Sequence, residues 1–297
     1  MDATWQAIAA SLSQALNQDC QYQSHQSVSG GCINQSYIMR CQDGENYFVK
    51  LNQAKRQDMF EAELAGLQAM HSSHSIRVPL AYCYGSAGAY SFIVMQALQF
   101  GHGGDASMKK FGQALADLHR CVEPDGRYGW HIDNTIGSTP QTNAWRSNWV
   151  EFWRDNRLAF QLQLAARNGY GGQLQKAGEQ LLSQLDAFFD RQPDASMLHG
   201  DLWSGNYDVC TDGEAAIFDP AFYYGDREAD LAMTELFGGF PATFYRAYND
   251  AYPLPQEYAV RKVLYNSYHI INHLNLFGSS YLGQAESMLQ RLLSELR

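Results

Sequence analysis

The stretch MLHGDLWSGN, residues 197–206, places a histidine, an aspartate and an asparagine within ten residues. Asp201 and Asn206 lie five residues apart, and the run AAIFDPA supplies Asp219 eighteen residues after Asp201. Carboxylate and amide oxygens are hard ligands of the type that Mg²⁺ prefers, which suits Asn206 and Asp219 to hold this ion together with a phosphate. Asp201 is in the right place for a base, although an Asp-Gly turn alone also explains it.

Lys50 is the second residue that points to chemistry. The run YFVKL places it on a predicted strand between apolar residues, where an unpaired ammonium group is costly to bury. Glu63 follows thirteen residues later on the next predicted helix and is the obvious carboxylate partner, with Glu61 as a competitor on another face. The alternative is a lysine that extends to water from an edge strand and a solvated glutamate.

Gly30 and Gly31 lie between two predicted strands. Backbone amides beside glycines can approach a phosphate group closely, but a plain hairpin turn explains two glycines equally simply. Lys50, Glu63, Asp201, Asn206 and Asp219, in that order, form a constellation that favours phosphate chemistry over isolated structural roles.

Composition limits the class of protein. The chain has 297 residues, a net charge of −10 and 45% hydrophobic residues, values typical of a folded globular protein. The negative charge argues against nucleic acid or an anionic membrane as partner and favours a small molecule. The first residues have neither the basic region of a signal peptide nor a membrane span, which predicts a cytoplasmic protein.

Six cysteines are scattered along the chain without any CxxC pair, which favours reduced thiols over a disulfide framework or a zinc site. They are Cys20, Cys32, Cys41, Cys83, Cys121 and Cys210.

The elements that must position these residues fall into two lobes. Residues 1–97 predict a helix, an antiparallel meander, a second helix near 56–70 and two further strands. Residues 98–297 predict a larger, mainly helical lobe with short β-rich pieces around 197–219. Its long amphipathic segments are predicted at 144–168, 173–190, 255–276 and 281–296. The fold class is therefore α+β, with a ligand cleft between unequal lobes.

The order and spacing of these residues resemble the protein-kinase-like phosphotransferases of the aminoglycoside and choline kinase type, in which HGDxxxxN forms the catalytic loop. More narrowly, nearly the whole chain resembles the fructosamine kinase (ketosamine-3-kinase) family. The stretches that carry the resemblance are SGGCINQSY, FVKLN, FEAELAGL, VMQAL, GWHIDNTIG, NWVEFWRDNRL, HGDLWSGN, FDPAFYYGDREADLAM and INHLNLFGSSY.

This resemblance implies ATP and Mg²⁺ as cofactors and a role for each matching residue. Asp201 would accept or orient the proton of the sugar hydroxyl, and Asn206 with Asp219 would hold Mg²⁺. Lys50, held by Glu63, would contact the α and β phosphates. The backbone at Gly30, Gly31 and Cys32 would cover the phosphates, and Met95, Gln96, Ala97 and Leu98 would face adenine. His199 would organise the loop or simply pack, and Asp230 would receive backbone N–H groups of the loop.

Substrate contacts are predicted from aromatic and acidic residues near the same motifs. Flat aromatic faces bind sugar rings well, although large aromatic residues are equally common in protein cores. The predicted aromatic contacts are Trp203, Phe222, Tyr223 and Tyr224. Asp226 and Glu228 are candidates to bind the protonated amine of a substrate.

The expected activity is phosphorylation of the 3-hydroxyl group of ketosamines, the adducts of sugars with amines. The alternatives are a kinase of another amino sugar or amino alcohol, and a pseudokinase that binds nucleotide without transferring phosphate. Cys32 adds an expectation of its own, because a thiol beside anion-binding amides favours the reactive thiolate. The protein is then a monomer or a redox-dependent homodimer linked through Cys32, unless that thiol is buried and inert.

Overall fold

The computed structural model describes residues 2–28 and 33–296. The N-terminal part contains an antiparallel five-stranded sheet with the strand order β1-β2-β3-β5-β4 and two main helices. The helices are α1 (Asp2–Leu16) and α2 (Gln57–Ser72), and a 3₁₀ turn at Ala54–Arg56 precedes α2. The strands are β1 (Tyr22–Val28), β2 (Gln35–Cys41), β3 (Asn46–Gln53), β4 (Ala81–Ala87) and β5 (Tyr90–Gln96).

The central strand β3 is buried on both faces of the sheet. Side chains alternate along a strand, so Val49 and Leu51 point to one face and Lys50 to the other. Val49 and Leu51 pack in a buried cluster with Trp5 and Ile8 of α1. Lys50 therefore faces the side of the sheet on which α2 lies.

The C-terminal part is mainly helical, and two of its helices, α4 and α5, are joined by a π-helical turn at Arg154–Leu158. The helices are α3 (Asp105–His119), α4 (Trp149–Trp153), α5 (Ala159–Arg167), α6 (Gln173–Leu182), α7 (Glu228–Leu236), α8 (Ala242–Ala251), α9 (Tyr258–Phe277) and α10 (Leu282–Glu295). Short hairpin strands lie between them: β6 (Asn134–Ile136), β7 (Thr139–Gln141), β8 (Ser196–Leu198), β9 (Tyr207–Val209), β10 (Ala215–Ile217) and β11 (Tyr223–Gly225). Over the described residues, no helix is both long and apolar enough to pass through a lipid bilayer.

The four helical segments predicted from periodicity are present with shifted ends, whereas the β6–β7 hairpin was not predicted. Three-residue strands are too short to show a period of two. Side-chain hydrogen bonds hold this hairpin in place instead: Gln141 Nε2 donates to Asn134 Oδ1 at 2.8 Å, and Asn134 Nδ2 donates to the carbonyl oxygen of Phe222 at 2.8 Å.

One buried apolar cluster crosses from the N-terminal part to the C-terminal part. Phe60 and Leu67 of α2 belong to the same cluster as Phe111 of α3, Ile217 of β10 and Phe222. The helix beside Lys50 is therefore packed against the elements that carry the HGDLWSGN loop.

The expectation of reduced thiols is wrong for two cysteines, because Cys20 and Cys41 form a disulfide. Cys41 ends β2, and the register of the hairpin places it opposite Tyr22, close to the start of β1. The two cysteines are 21 residues apart in sequence, so a search for short cysteine spacings could not find the pair. Cys83, Cys121 and Cys210 are free thiols, and Cys32 lies outside the described residues.

Gly66 of α2 is expected to be intolerant of a side chain. A Cβ atom at this position would lie 2.8 Å from the Cβ atom of Phe222, which is buried. We expect Gly66→Ala to lower the free energy of unfolding by about 1–3 kcal/mol, because the helix must move away from a packed core. Urea unfolding measures this change.

Gly283 of α10 is the matched control, since a Cβ atom built there has no described atom within 4 Å beyond its chain neighbours and the backbone of its own helix. Gly283→Ala should leave stability unchanged or raise it by about 0.5–1 kcal/mol, because alanine is a better helix former. Equal stabilities of the two variants would contradict the close packing of α2 on Phe222.

Candidate active site

Lys50 is buried and joins three elements. Its ammonium nitrogen Nζ donates to Glu63 Oε1 of α2 at 2.5 Å and to Asp219 Oδ1 at 2.5 Å. Burial alone lowers the pKa of Lys50, but the two carboxylates outweigh burial and raise it above its ordinary value. The ion pair with Glu63 is the one that the sequence predicted, and Asp219 is a second partner that it did not.

The HGDLWSGN loop follows β8 and is organised by His199. The His199 Nε2 atom donates to the carbonyl oxygen of Phe218 at 2.9 Å, and its Nδ1 atom accepts the backbone N–H of Asp201 at 3.3 Å. Burial lowers the pKa of His199, so the ring is neutral, as these two hydrogen bonds require. The side chain thus ties the start of the loop to the segment that carries Asp219.

Asp230, on α7, also holds the HGDLWSGN loop in place. Its carboxylate accepts the backbone N–H groups of His199 at 2.7 Å and Gly200 at 2.8 Å, and it contacts Nε2 of His119 at 3.3 Å. Burial alone raises the pKa of Asp230, but these hydrogen bonds bring it below its ordinary value. Gly200 has a φ of +81°, and a Cβ atom there would lie 2.1 Å from the carbonyl oxygen of Ala221. The turn before Asp201 therefore requires glycine.

Asp201 lies partly exposed at the floor of the cleft. Burial and the negative charge of Asp219 raise its pKa to about 7. The Asn206 amide Nδ2 donates to the carbonyl oxygen of Asp201 at 2.8 Å and to its Oδ2 atom at 3.3 Å. This contact orients the Asp201 carboxylate and leaves the Asn206 Oδ1 atom as an acceptor.

Asn206 and Asp219 fit the ligand set of a divalent metal ion. The β9–β10 hairpin brings them together, since Asn206 immediately precedes β9 and its carbonyl oxygen accepts the N–H of Phe218 at 3.0 Å. The Asp219 side chain is 40% exposed, and only its Oδ1 atom is held by Lys50. No cluster of three or more His, Cys, Asp or Glu residues suited to a metal occurs in the described part. A metal ion held by Asn206 and Asp219 would take its other ligands from phosphate and water.

The segment predicted to face adenine follows β5. Met95 is buried in the sheet, and the Gln96 N–H donates to the carbonyl oxygen of Leu80 at 2.8 Å. Neither Ala97 nor Leu98 donates its backbone N–H to another described residue, so both donors are available to a ligand. Gly30, Gly31 and Cys32 lie outside the described residues, and the roles expected of them stay predictions.

Trp203 lies in the HGDLWSGN loop and belongs to an aromatic patch. Of the residues in this patch, the sequence predicted only Trp203. Its ring, 37% exposed, lies 6.2 Å from that of Phe237, and Phe237 lies 4.8 Å from His273 of α9. His273 contacts Phe277 at 5.3 Å and Tyr281 at 5.2 Å, and Phe277 is 55% exposed. The aromatic patch (Trp203, Phe237, His273, Phe277 and Tyr281) begins at Trp203, two residues after Asp201. The sequence feature that could have indicated this patch is Phe277, a large apolar residue just before Gly278 at the end of a predicted helical segment.

Two of the other predicted aromatic contacts are core residues. Phe222 and Tyr223 are 1% and 3% exposed, and the Tyr223 ring packs 4.1 Å from the guanidinium of the buried Arg157. Substrate contact does not fit either position. Tyr224 is half-buried and stacks at 6.3 Å on Trp145.

Asp226 and Glu228 also do not face the cleft, and the predicted contact with a substrate amine does not fit them. Both are 4% exposed. Glu228 forms two hydrogen bonds of 2.8 Å to Arg261, while Asp226 accepts the hydroxyl of Tyr265 at 2.5 Å and the N–H of Glu228 at 3.0 Å. Both side chains therefore make their polar contacts inside the C-terminal part, at the start of α7.

Sequence relatives cover almost the entire chain. The sequence profile of the fructosamine kinase family matches residues 4–295. A Synechocystis protein described as a probable ketoamine kinase is 49% identical over 292 residues, which cover 98% of this chain and 97% of the relative. A chloroplastic protein-ribulosamine 3-kinase of Oryza sativa subsp. indica is 41% identical over 274 residues, covering 91% of this chain and 79% of the relative.

Solved structures show the same architecture. A Haemophilus somnus 129PT structure, provisionally assigned as a fructosamine-3-kinase, has a TM-score of 0.89 at 29% identity and covers 98% of both chains. The choline kinase of Streptococcus pneumoniae has a TM-score of 0.62 at 15% identity, covering 97% of this chain and 98% of that one, and shows the fold alone. The predicted α+β fold with two lobes, as in protein-kinase-like phosphotransferases, is confirmed.

The contacts of Asp230 predict a loss of stability on its replacement. In Asp230→Asn an amide group replaces one acceptor oxygen, so one buried N–H of the loop loses its partner. We expect the free energy of unfolding, measured in urea, to fall by about 1–3 kcal/mol. Asp190→Asn, at an exposed position, is the control and should match the wild type. An Asp230→Asn variant as stable as the control would refute the supporting role of this carboxylate.

Proposed function

The chain belongs to the fructosamine kinase family, and from that premise we propose that it transfers a phosphoryl group from ATP to the 3-hydroxyl of ketosamines. The observation that carries the proposal is the buried ammonium of Lys50 between Glu63 and Asp219, beside the loop that holds Asp201. This arrangement places a cation that can bind phosphate groups near a base that can accept the proton of a hydroxyl group. Phosphorylation of this hydroxyl is the step by which such kinases contribute to deglycation of amines.

The nucleotide end of the cleft is assigned to Lys50 and the segment after β5. Lys50, fixed by Glu63, presents its charge to the α and β phosphates, and the free N–H groups of Ala97 and Leu98 are suited to adenine. Asn206 and Asp219 would hold a divalent metal ion, which we propose to be Mg²⁺. When bound, this ion neutralises charge on the phosphates.

The acceptor end is assigned to Asp201 and the aromatic patch. Asp201 orients the 3-hydroxyl and receives its proton as the phosphoryl group is transferred. A modest base suffices, because the transition state is loose and most catalysis comes from positioning and charge neutralisation. Trp203 offers a flat apolar face with a polar edge, which suits the sugar part of a ketosamine.

The direct test is turnover of ATP against ribulosamines, fructosamines, aminoglycosides and amino alcohols. Ketosamines should be the preferred acceptors. Preference for an amino alcohol would replace the proposed substrate class, and nucleotide binding without any turnover would indicate a pseudokinase.

Two conservative variants separate the base from the metal ligand. Asp201→Asn should abolish phosphoryl transfer with nearly normal ATP binding, because Asp201 faces the acceptor. Asp219→Asn should in addition lose metal-dependent nucleotide binding. Calorimetry with a non-hydrolysable ATP analogue measures binding, and wild-type turnover by both variants on every ketosamine would exclude these roles.

Trp203→Ala should raise KM for the ketosamine more than KM for ATP, by about tenfold if one aromatic face supplies 1–1.5 kcal/mol. Tyr90→Ala, at the start of β5, is the matched aromatic truncation and should leave both KM values unchanged. Equal effects of Trp203→Ala on both substrates, with a large drop in Tm, would identify Trp203 as a packing residue.

A further inference from the structure

A second cavity, of about 320 Å³, opens where β3 runs into α2. Its walls include Asn52, Lys55 and Arg56 from this connection, Ile33 from the segment before β2, and Ser138 from the β6–β7 turn. The cavity, called here the 52–56 cavity, is thus bounded by both lobes. None of the roles assigned above uses it.

The 52–56 cavity is positively charged. No carboxylate is among the residues that line it, and neither Lys55 nor Arg56 forms an ion pair with any residue of the described ranges. The nearest acidic side chain in sequence is that of Asp58, which accepts the backbone N–H of Met59. In a chain of net charge −10, two adjacent unpaired cations at one cavity form a local site for an anion.

The position of the 52–56 cavity relates it to the acceptor end of the cleft. Asn52 follows Lys50 by two residues on the same face of β3, about 7 Å further along the strand. Ser138 lines the opposite wall, and its neighbour Gly137 packs on Leu276 of α9, where an added Cβ atom would lie 2.9 Å from the leucine Cδ1 atom. The same helix carries His273 of the aromatic patch. The cavity therefore lies beyond the phosphate-binding lysine, on the side towards α9.

We infer that the 52–56 cavity binds an anionic group of the acceptor substrate, either a phosphate ester on the sugar or a carboxylate on the amine. This inference rests on the proposed function and narrows the substrate class to ketosamines that carry a second, negatively charged group. Arg56 matches the two oxygens of a phosphate or carboxylate, and Lys55 adds a point charge. The hydroxyl of Ser138 supplies a further donor from the other lobe.

The double variant Lys55→Gln/Arg56→Gln tests the inference with three ketosamines: a neutral one, one with a phosphate ester on the sugar, and one formed from an amino acid. KM for the ketosamine whose anionic group the cavity binds should rise about tenfold or more, with kcat nearly unchanged. The variant loses a contact that is made equally in the ground state and in the transition state. KM for the neutral ketosamine should not change. The anionic substrate that responds identifies phosphate or carboxylate as the ligand.

Lys109→Gln/Lys110→Gln is the matched control, since it removes two adjacent exposed cations of α3 that form no ion pair with a described residue. It should leave all three KM values unchanged. Equal effects of the Lys55→Gln/Arg56→Gln variant on neutral and anionic ketosamines, or no effect on any of them, would overturn the inference.

If the wild-type protein phosphorylates no ketosamine, the proposed function is refuted. Anion binding by the 52–56 cavity is then measured directly. The probe is then inorganic phosphate, titrated by calorimetry into protein saturated with a non-hydrolysable ATP analogue. Weaker binding to Lys55→Gln/Arg56→Gln than to the lysine control supports the cavity as an anion site, and unchanged binding excludes it.

Discussion

The buried ammonium group of Lys50 constrains the whole cleft. A charge removed from water is tolerated only when opposite charges lie at hydrogen-bonding distance, and here they come from two separate elements. Glu63 fixes α2 against β3, and Asp219 fixes the end of the β9–β10 hairpin against the same lysine. The residues proposed to bind phosphate and metal are thus brought together by one electrostatic requirement rather than by independent local contacts.

The HGDLWSGN loop is held by a second buried charge, of opposite sign to that of Lys50. Asp230 receives two backbone N–H groups at the turn before Asp201, while His199 links that turn to Phe218. Each of these contacts holds a backbone group of the loop or of the Phe218 segment in place. Asp201 then needs only Asn206 to set the direction of its carboxylate.

Sequence reasoning succeeded where a residue type was unusual for its surroundings and failed where tertiary contacts decide exposure. A lone lysine between apolar residues on a strand demanded a carboxylate, and Glu63 is that carboxylate. Phe222 and Tyr223 follow the Asp219 motif closely in sequence, but both are buried, Phe222 in the cluster shared with α2 and Tyr223 in β11. The aromatic patch could not be assembled from the sequence, because Phe237 and His273 reach Trp203 only through the packing of α7 and α9. The Cys20–Cys41 pair depends in the same way on the hairpin register.

The apolar cluster that α2 shares with the C-terminal part has a consequence for regulation. Phe60 and Leu67 are buried in one apolar cluster with residues of α3 and β10, and Gly66 packs on Phe222. Swinging this helix outwards would expose side chains whose burial is worth about 1.5–3 kcal/mol each. An on–off mechanism based on displacement of the helix that carries the glutamate is therefore disfavoured in this architecture. The ion pair between Lys50 and Glu63 is thus built into the packed core of the protein.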